Sequence, residues 1–551
     1  MPTLTWIGKD KVVNHHNDVP FRVLEQQYTF GDADAGTPDR PNRIIHGDNL
    51  EALKALLPYY EGRIKCIYID PPYNTGNENW VYNDNVNDPK IKRWLGKVVG
   101  KESEDLSRHD KWLCMMYPRI QLLYRLLAND GVLFTSLDEN EANNAKLVFD
   151  EIFGKTGFVA QISLLCNPKG RSQDKYFSTN HEYCLVYSKK ELYKDSFSIS
   201  KDQALVDKEY KKQDELGQYR LLELRNTHRE FNRETRPNLS YPLFVDPISG
   251  KVSVDQNDVH SIKVEPSWPD GFEGCWTWGK DLAREDKHLL VAVKQKSRWV
   301  ISRKSYAKSD DGASVKRKPF TIWNDPRFYT EKGQTEFGKI FPGLNKNDFP
   351  QPKSVDFIEE LLRTSTNPGD IILDSFAGSG TTAHAVLNLN KQDGGNRQFI
   401  LVEMEEYAET ITAERVRRVI DGYGTKEGTG GSFAYYELGP ALFTEENLLN
   451  EALPLARIRE YVWYSETRSP LPTPDTADQP EPHFLGKLFD TAYYFYYEPN
   501  QLTTLDYDFL STIRTPAEQY VIYADNCLIA REWLQQRRII FKKIPRDISR
   551  F

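Results

Sequence analysis

Cys66-Ile67-Tyr68-Ile69-Asp70-Pro71-Pro72-Tyr73 is an apolar run that stops on an acid, two prolines and a phenol. A short, unbroken apolar run bounded by turn residues reads as a strand buried on both faces, and residues 63–69 are assigned to it. Proline has no N–H for a ladder and biases the residue before it away from helix, so the strand ends at Asp70. The same grammar repeats outward. Upstream lie a short strand at 43–46, a turn at Gly47-Asp48, and a helix over 49–57 with Leu53, Leu56 and Leu57 on one face. Downstream, an amphipathic helix over 112–127 closes at Asn129-Asp130-Gly131, followed by a strand at 132–136, a helix over 139–153 and a strand at 183–187. Far along the chain the pattern resumes: a helix over 355–364, a strand at 371–373, the turn Phe376-Ala377-Gly378-Ser379-Gly380, and a helix reaching Asn390. A strand at 399–402, Glu403 and a helix over 407–420 complete it. Strands alternating with helices predict an α/β fold with a mostly parallel sheet covered on both faces.

At 551 residues the chain is too long for one ordinary core. Five segments are expected: a loosely structured arm at 1–42, an α/β half at 43–190, an irregular insertion at 191–335, a second α/β half at 336–421, and a small α/β module at 432–551. The insertion is rich in charge, Trp, Pro and Gly, as in Trp268-Pro269-Asp270-Gly271. The polar stretch 74–110 reads as a loop or lid, and the Pro-rich 469–482 as a linker. No apolar stretch approaches the roughly 20 residues that span a bilayer, and no signal-peptide core opens the chain, so a cytoplasmic protein is expected. The cysteines at 66, 114, 166, 184, 275 and 527 are scattered, which predicts free thiols and no metal site. A net charge of −8 argues against a protein that coats nucleic acid without specificity. One basic stretch runs against that background. It comprises Lys294, Lys296, Arg298, Arg303, Lys304, Lys308, Lys316, Arg317 and Lys318, opposed by Asp310 and Asp311. By charge alone it is a solvated loop; its place between the two α/β halves turns the reading toward DNA contact.

The tetrapeptide at 70–73 suits one kind of chemistry. An aromatic amine is a poor nucleophile because its lone pair is delocalised into the ring, and two acceptors on its hydrogens favour the shift toward tetrahedral geometry. Asp70 supplies one acceptor. The carbonyl of Pro71 supplies the other, its direction fixed by Pro72, and Tyr73 offers a flat face for a base drawn out of the duplex. Such catalysis is positioning and local electrostatics. The plainer reading is that Pro-Pro only ends a strand. The turn at Gly378 and Gly380 lets a ligand approach the backbone, but it lacks a dinucleotide fingerprint's third glycine and a P-loop's Lys-Ser/Thr. Glu403, at the end of the next strand, is placed to accept ribose hydroxyls. A cofactor with a ribose and no phosphate, S-adenosylmethionine, fits both. Taken alone, the glycine turn is equally a close crossing of helix and strand.

These motifs resemble the beta group of amino DNA methyltransferases, in which the catalytic motif precedes the cofactor motif. The likeness covers most of residues 43–190 and 335–421. Ile45-His46-Gly47-Asp48-Asn49 matches the segment before the catalytic strand, which implies that Asp48 contacts the cofactor's adenine. Phe349-Pro350-Gln351-Pro352-Lys353 matches the segment that opens the cofactor half, implying that Lys353 lies near the methionine moiety. Leu373 to Thr382 matches the cofactor loop, implying contacts from Asp374, Phe376, Gly378, Gly380 and Thr381; Ser375 stands where proline is more usual. The implied fold is Rossmann-like. Asn74-Thr75-Gly76, the long helix at Trp112, Tyr435-Tyr436-Glu437-Leu438-Gly439-Pro440 and Phe541-Lys542-Lys543-Ile544-Pro545-Arg546-Asp547 resemble the modification subunits of type III restriction systems. That resemblance implies methylation of adenine N6 in short sites on double-stranded DNA, a homodimer, and a separate helicase-nuclease subunit. It also makes the insertion the target-recognition region. A cytosine N4 enzyme shares the fold and cofactor. Protein glutamine methylation is disfavoured by Asp70 in place of Asn, and a recognition and assembly subunit with little activity by the intact Asp70, Tyr73, Gly378 and Glu403.

Overall fold

The computed structural model describes the chain except residues 1–2, 32–41, 76–88, 100–106, 171–173, 194–195, 202, 297, 309–314, 345–348, 350, 473–480 and 551. It forms two compact units, Met1–Ser196 with Phe320–Phe551, and Phe197–Pro319.

The first unit is built on a ten-stranded sheet. From edge to edge the strands are Arg22–Gly31, Ser432–Ala441, Asn42–His46, Gln398–Glu403, Ile371–Asp374, Ile64–Ile69, Leu127–Leu137, His181–Ser188, Phe158–Leu165 and Ile322–Trp323. The six from Ser432–Ala441 to Leu127–Leu137 run parallel to one another, while Arg22–Gly31 and His181–Ser188 run against their neighbours. The inner strands are apolar because both faces are covered: all four residues of Ile371–Asp374 are buried, as are Cys66, Ile67, Tyr68 and Ile69. Helix Asn49–Tyr60 buries Leu53, Leu56 and Leu57, and Arg108–Leu126, opened by a Ser107–Asp110 capping box, buries Trp112, Met115 and Leu122. Helices Val355–Ser365 and Thr381–Asp393 pack on each other.

The α/β expectation holds, and four details of it change. The described part of the N-terminal arm is folded: Arg22–Gly31 is an edge strand with Val23 and Leu24 buried and Tyr28 stacked on Tyr435 at 5.1 Å. Its outer residues Glu25, Gln26 and Gln27 are exposed, which is why the segment looks polar in sequence. The module expected at 432–551 starts later, because Ser432–Ala441 is paired on both sides within the main sheet. Its separate sheet is Phe484–Leu488, Thr491–Phe495, Gln519–Ala524 and Ile539–Lys543. The insertion is shorter than expected, since Ile322–Trp323 already belongs to the main sheet. The helix expected over 407–420 opens as a π-helix, Ala408–Ala413, before Glu414–Asp421. Most of the lid expected at 74–110 and of the linker at 469–482 lies outside the described residues; Pro89–Val98 is helical.

Taken by itself, the second unit holds a three-stranded sheet centred on Leu243–Val245 and a four-stranded one centred on Arg298–Tyr306 and Gly217–Glu223. Trp276 fills its core and donates from Nε1 to the Tyr241 carbonyl at 2.7 Å. The guanidinium groups of Arg225 and Arg229 lie 4.0 and 4.7 Å from the Trp268 ring centre. Lys294, Lys296, Lys308, Lys316 and Lys318 are exposed, whereas Lys304 is paired with Asp214 at 2.6 Å. Among the described residues no helix is long and apolar enough to cross a membrane.

Ile67 is fully buried in the middle of the main sheet. Ile67→Ala is expected to cost about 2–5 kcal/mol, read as a lower denaturant midpoint with an unchanged slope.

Candidate active site

Pairing of Cys66, Ile67 and Tyr68 with Ile372, Leu373 and Asp374 brings two distant stretches to the same end of the sheet. Asp70 emerges two residues past Tyr68, beside Asp374 and the glycine turn. On the other side of Ile371–Asp374, Glu403 ends its strand opposite His46, so Gly47 and Asp48 arrive there too. Loops at the carboxyl ends of parallel strands, where chain direction divides, are where α/β sheets hold ligands.

Asp70 stands in a buried cluster of charge. Its Oδ1 is 2.9 Å from the Tyr73 hydroxyl, which is also 2.9 Å from Glu182 Oε2. The Lys353 ammonium donates to the Tyr73 oxygen and, at 2.8 Å, to Glu182 Oε2, and lies 3.3 Å from Asp70 Oδ1. Burial pushes the Asp70 carboxyl up to about 6 against the pull of Lys353. For Lys353, burial works against the charge, but Asp70 and Glu182 outweigh it and raise its pKa. The turn itself is pinned from both sides. Trp112 Nε1 donates to the Pro72 carbonyl at 2.7 Å. Asn74, at φ 59°, is bonded to Glu141 and to the Arg108 carbonyl.

The glycine turn is held by buried polar groups. Asp374 accepts from Phe376 N at 3.0 Å and from the Thr382 hydroxyl at 2.5 Å. Glu403 accepts from Gly378 N at 2.7 Å, Met404 N at 3.0 Å and Glu405 N at 3.1 Å. Burial raises both carboxyls to about 7. Gly380 has φ +79°, and a Cβ there would lie 3.1 Å from the Thr412 carbonyl oxygen, so both conformation and space select glycine. The π-helix supplies that carbonyl, and the Thr412 hydroxyl donates to Gly378 O at 2.6 Å. Beneath the turn, the fully buried Arg415 donates to the hydroxyls of Ser379 and Thr381 at 2.6 and 2.9 Å.

Asp70, Pro72, Phe376, Glu403, Asn49 and Arg119 share one cleft. Its volume is about 40 Å³, room for one or two waters, and the half-buried Phe376, Met404 and Tyr407 side chains form part of its wall.

Of the residues singled out in the sequence, Asp70, Pro72, Phe376 and Glu403 line the cleft; Pro71, Gly378 and Gly380 form its turns, and Asp374 braces one of them. Tyr73 is buried, its hydroxyl on Asp70 and the Lys353 ammonium 4.8 Å from its ring centre. Thr381 points its hydroxyl down to Arg415. Asp48 caps helix Asn49–Tyr60, accepting from Leu50 N at 2.8 Å, and stands 3.5 Å from Arg119. Lys353, expected on the cofactor side, directs its ammonium to Asp70, Tyr73 and Glu182. Glu182, Arg119 and Trp112 also touch these groups, and no motif in the sequence marks them as site residues. Trp112, Met115 and Arg119 fall on one helical face, and an Arg on the buried face of an amphipathic helix is a signal that could have marked them. For Glu182 the signal is an acid inside an apolar strand.

A family model described as DNA methylase, of the N6/N4 type, matches residues 64–414. The type III restriction-modification enzyme EcoPI Mod subunit of Escherichia phage P1 is 34% identical over 424 residues, covering 73% of this chain and 64% of that protein. The chain thus spans just under two thirds of that relative. The type II methyltransferase M.KpnI of Klebsiella pneumoniae is 35% identical over 361 residues, 65% of this chain and 80% of its own length. The Escherichia coli EcoP15I Mod subunit is 29% identical, covering 77% and 67%. Among solved structures, the M1.HpyAVI–SAM complex aligns at 15% identity with a TM-score of 0.29, covering 68% of this chain and 98% of that one.

Trp112→Phe leaves the Pro72 carbonyl without its indole donor. Loss of about 1–3 kcal/mol is expected in equilibrium unfolding, together with faster amide exchange in the segment around Tyr73.

Proposed function

The chain belongs to the N6/N4 DNA methylase family, and on that premise we propose that it transfers a methyl group from S-adenosylmethionine to N6 of adenine within a short DNA site. The observation that carries this reading is the meeting of Asp70 with the Gly378 turn across neighbouring strands. The cleft's own chemistry fits the donor. Asp70, Glu403 and Glu405 line it, an acidic wall that repels phosphate and suits a cationic sulfonium carried on a ribose. When bound, S-adenosylmethionine supplies an electrophilic methyl group. Asp70 accepts a hydrogen bond from one hydrogen of the target amine and the Pro71 carbonyl from the other, which withdraws the nitrogen lone pair from conjugation with the ring. Tyr73 provides the stacking face once the base is extruded. Gly378 and Gly380 let the donor sit against backbone, and Glu403 exchanges part of its backbone hydrogen bonding for ribose hydroxyls. Asp48 and Arg119 flank the adenine end, and closure of the Phe376 side excludes water.

In this reading Phe197–Pro319 recognises the target. Its exposed lysines serve as phosphate contacts, and its Trp268-stacked arginines are candidates for the groove. The relatives named as Mod subunits of type III restriction-modification enzymes support a modification subunit that works beside a restriction subunit; in this reading it also pairs with a second copy of itself and acts in the cytoplasm. Adenine is preferred over cytosine N4 because Asp occupies position 70.

Sequencing that detects modified bases in DNA from cells expressing the chain is expected to show N6-methyladenine at a single short motif; methyl groups on cytosine N4 would overturn the choice of base. Asp70→Ala is expected to lower kcat by about a hundredfold or more while cofactor and DNA binding persist, and transfer at near wild-type rate would remove Asp70 from the reaction. Gly378→Val is expected to weaken S-adenosylmethionine binding about tenfold or more, measured by titration.

A further inference from the structure

Two buried charged groups beside Asp70 have no part in the reaction as derived so far. Glu182 comes from His181–Ser188, the strand beyond Leu127–Leu137, and Lys353 from the segment that precedes helix Val355–Ser365. They meet over the Tyr73 hydroxyl, which stands 2.9 Å from an oxygen of each carboxylate. A phenol has one hydrogen, so it serves Asp70 or Glu182 at a given moment, never both. Lys353 donates to the phenol oxygen and to Glu182 and faces Asp70. The cluster therefore counts two carboxylates, one ammonium and one shared phenol proton.

The phenol occupies one acceptor position on Asp70 Oδ1, a position for which an arriving amine competes. Resting on the role given to Asp70 above, we propose that Glu182 and Lys353 are positioning residues. Glu182 takes over the Tyr73 hydroxyl so that Asp70 is free for the amine, and Lys353 keeps Asp70 a carboxylate in a buried site. No bond to carbon changes in this exchange; one hydrogen bond moves from Asp70 to Glu182 and the amine's hydrogen bond replaces it. The fixed ammonium compensates whichever acid the phenol leaves.

The two charges act on Asp70 in opposite senses. Burial lifts its carboxyl to about 6, Glu182 adds to the lift and Lys353 opposes it. The other groups that face it are Tyr68 on its own strand, Cys184 on the strand of Glu182, Asp374 on the neighbouring strand, and Arg119, Glu403 and Glu405 around the cleft. Tyr68 and Cys184 are held neutral by burial. None of these residues is substituted in the variants below.

The test is the acid limb of kcat against pH, measured on the full chain with saturating S-adenosylmethionine and unmethylated plasmid DNA. Asp70 works ionised, so the rate rises as pH passes its pKa. Glu182→Gln removes a negative neighbour and keeps an acceptor; its acid limb is expected to move about one pH unit lower. Lys353→Met removes the compensating charge; its limb is expected to move about one unit higher, with Lys353→Gln serving the same arm should the methionine variant not fold. Both variants are expected to hold S-adenosylmethionine within about threefold of wild-type affinity, a change of under 1 kcal/mol. Limbs that stay in place, or move the same way, overturn the proposal. Run alongside, Asp70→Ala separates the two levels. Transfer that survives it removes the reading of the site itself, whereas transfer lost with unmoved limbs removes only the roles of Glu182 and Lys353.

Discussion

Cys66, Ile67 and Tyr68 lie in register with Ile372, Leu373 and Asp374, and the rest of the molecule is arranged around that ladder. The two strands are separated by the whole second unit in sequence, yet the hydrogen bonds between them set Asp70 beside Asp374 to within a residue. Side chains alternate faces along a strand, so a slip of one position would turn Tyr68 and Asp374 to opposite sides and shift Asp70 by roughly 3.3 Å. Register is strongly specified here because both faces are buried. The apolar character of these strands is thus what aims the acid at the glycine turn.

Around this ladder the protein gathers charge in places that oppose it. Asp70, Asp374, Glu403, Glu182, Lys353 and Arg415 are all buried or nearly so. Each is tied down by a specific partner: Asp374 and Glu403 by backbone N–H groups, Lys353 by two acids, and Arg415 by hydroxyls under the turn. Desolvation brings Arg415 down to about 10. Burying ions in this way is a poor route to stability. What it provides is a turn and a carboxylate held in place by the protein's own hydrogen bonds.

How much of this was legible in the sequence follows from how each signal is made. The strands at Ile64 and Ile371 are short apolar runs that end on turn residues, a local pattern that the sequence displays directly. The edge strand Arg22–Gly31 was missed because an edge exposes one face and its polar residues mimic a loop. Ser432–Ala441 was given to the wrong segment because its partners lie at the other end of the chain, and pairing leaves no mark on composition. Asp70, Phe376 and Glu403 are marked by their motifs, and the structure brings the three to one cleft. Lys353 was found as a motif residue, but its direction depends on Glu182, a contact across the sheet that no window of sequence contains. Glu182 is an acid in the mostly apolar strand His181–Ser188, a signal that says the residue is unusual without saying which groups it meets. The π-helix at Ala408–Ala413 differs from an α-helix by one residue per turn, below what periodicity resolves.

The polypeptide leaves the main sheet after His181–Ser188 and returns at Ile322–Trp323, which pairs with Phe158–Leu165 at the sheet's outer border. Neither end interrupts the six parallel strands. A lineage can therefore trade the intervening segment for one of another length or ancestry by recombination at these two joints, and the ladder that aims the acid is inherited whole.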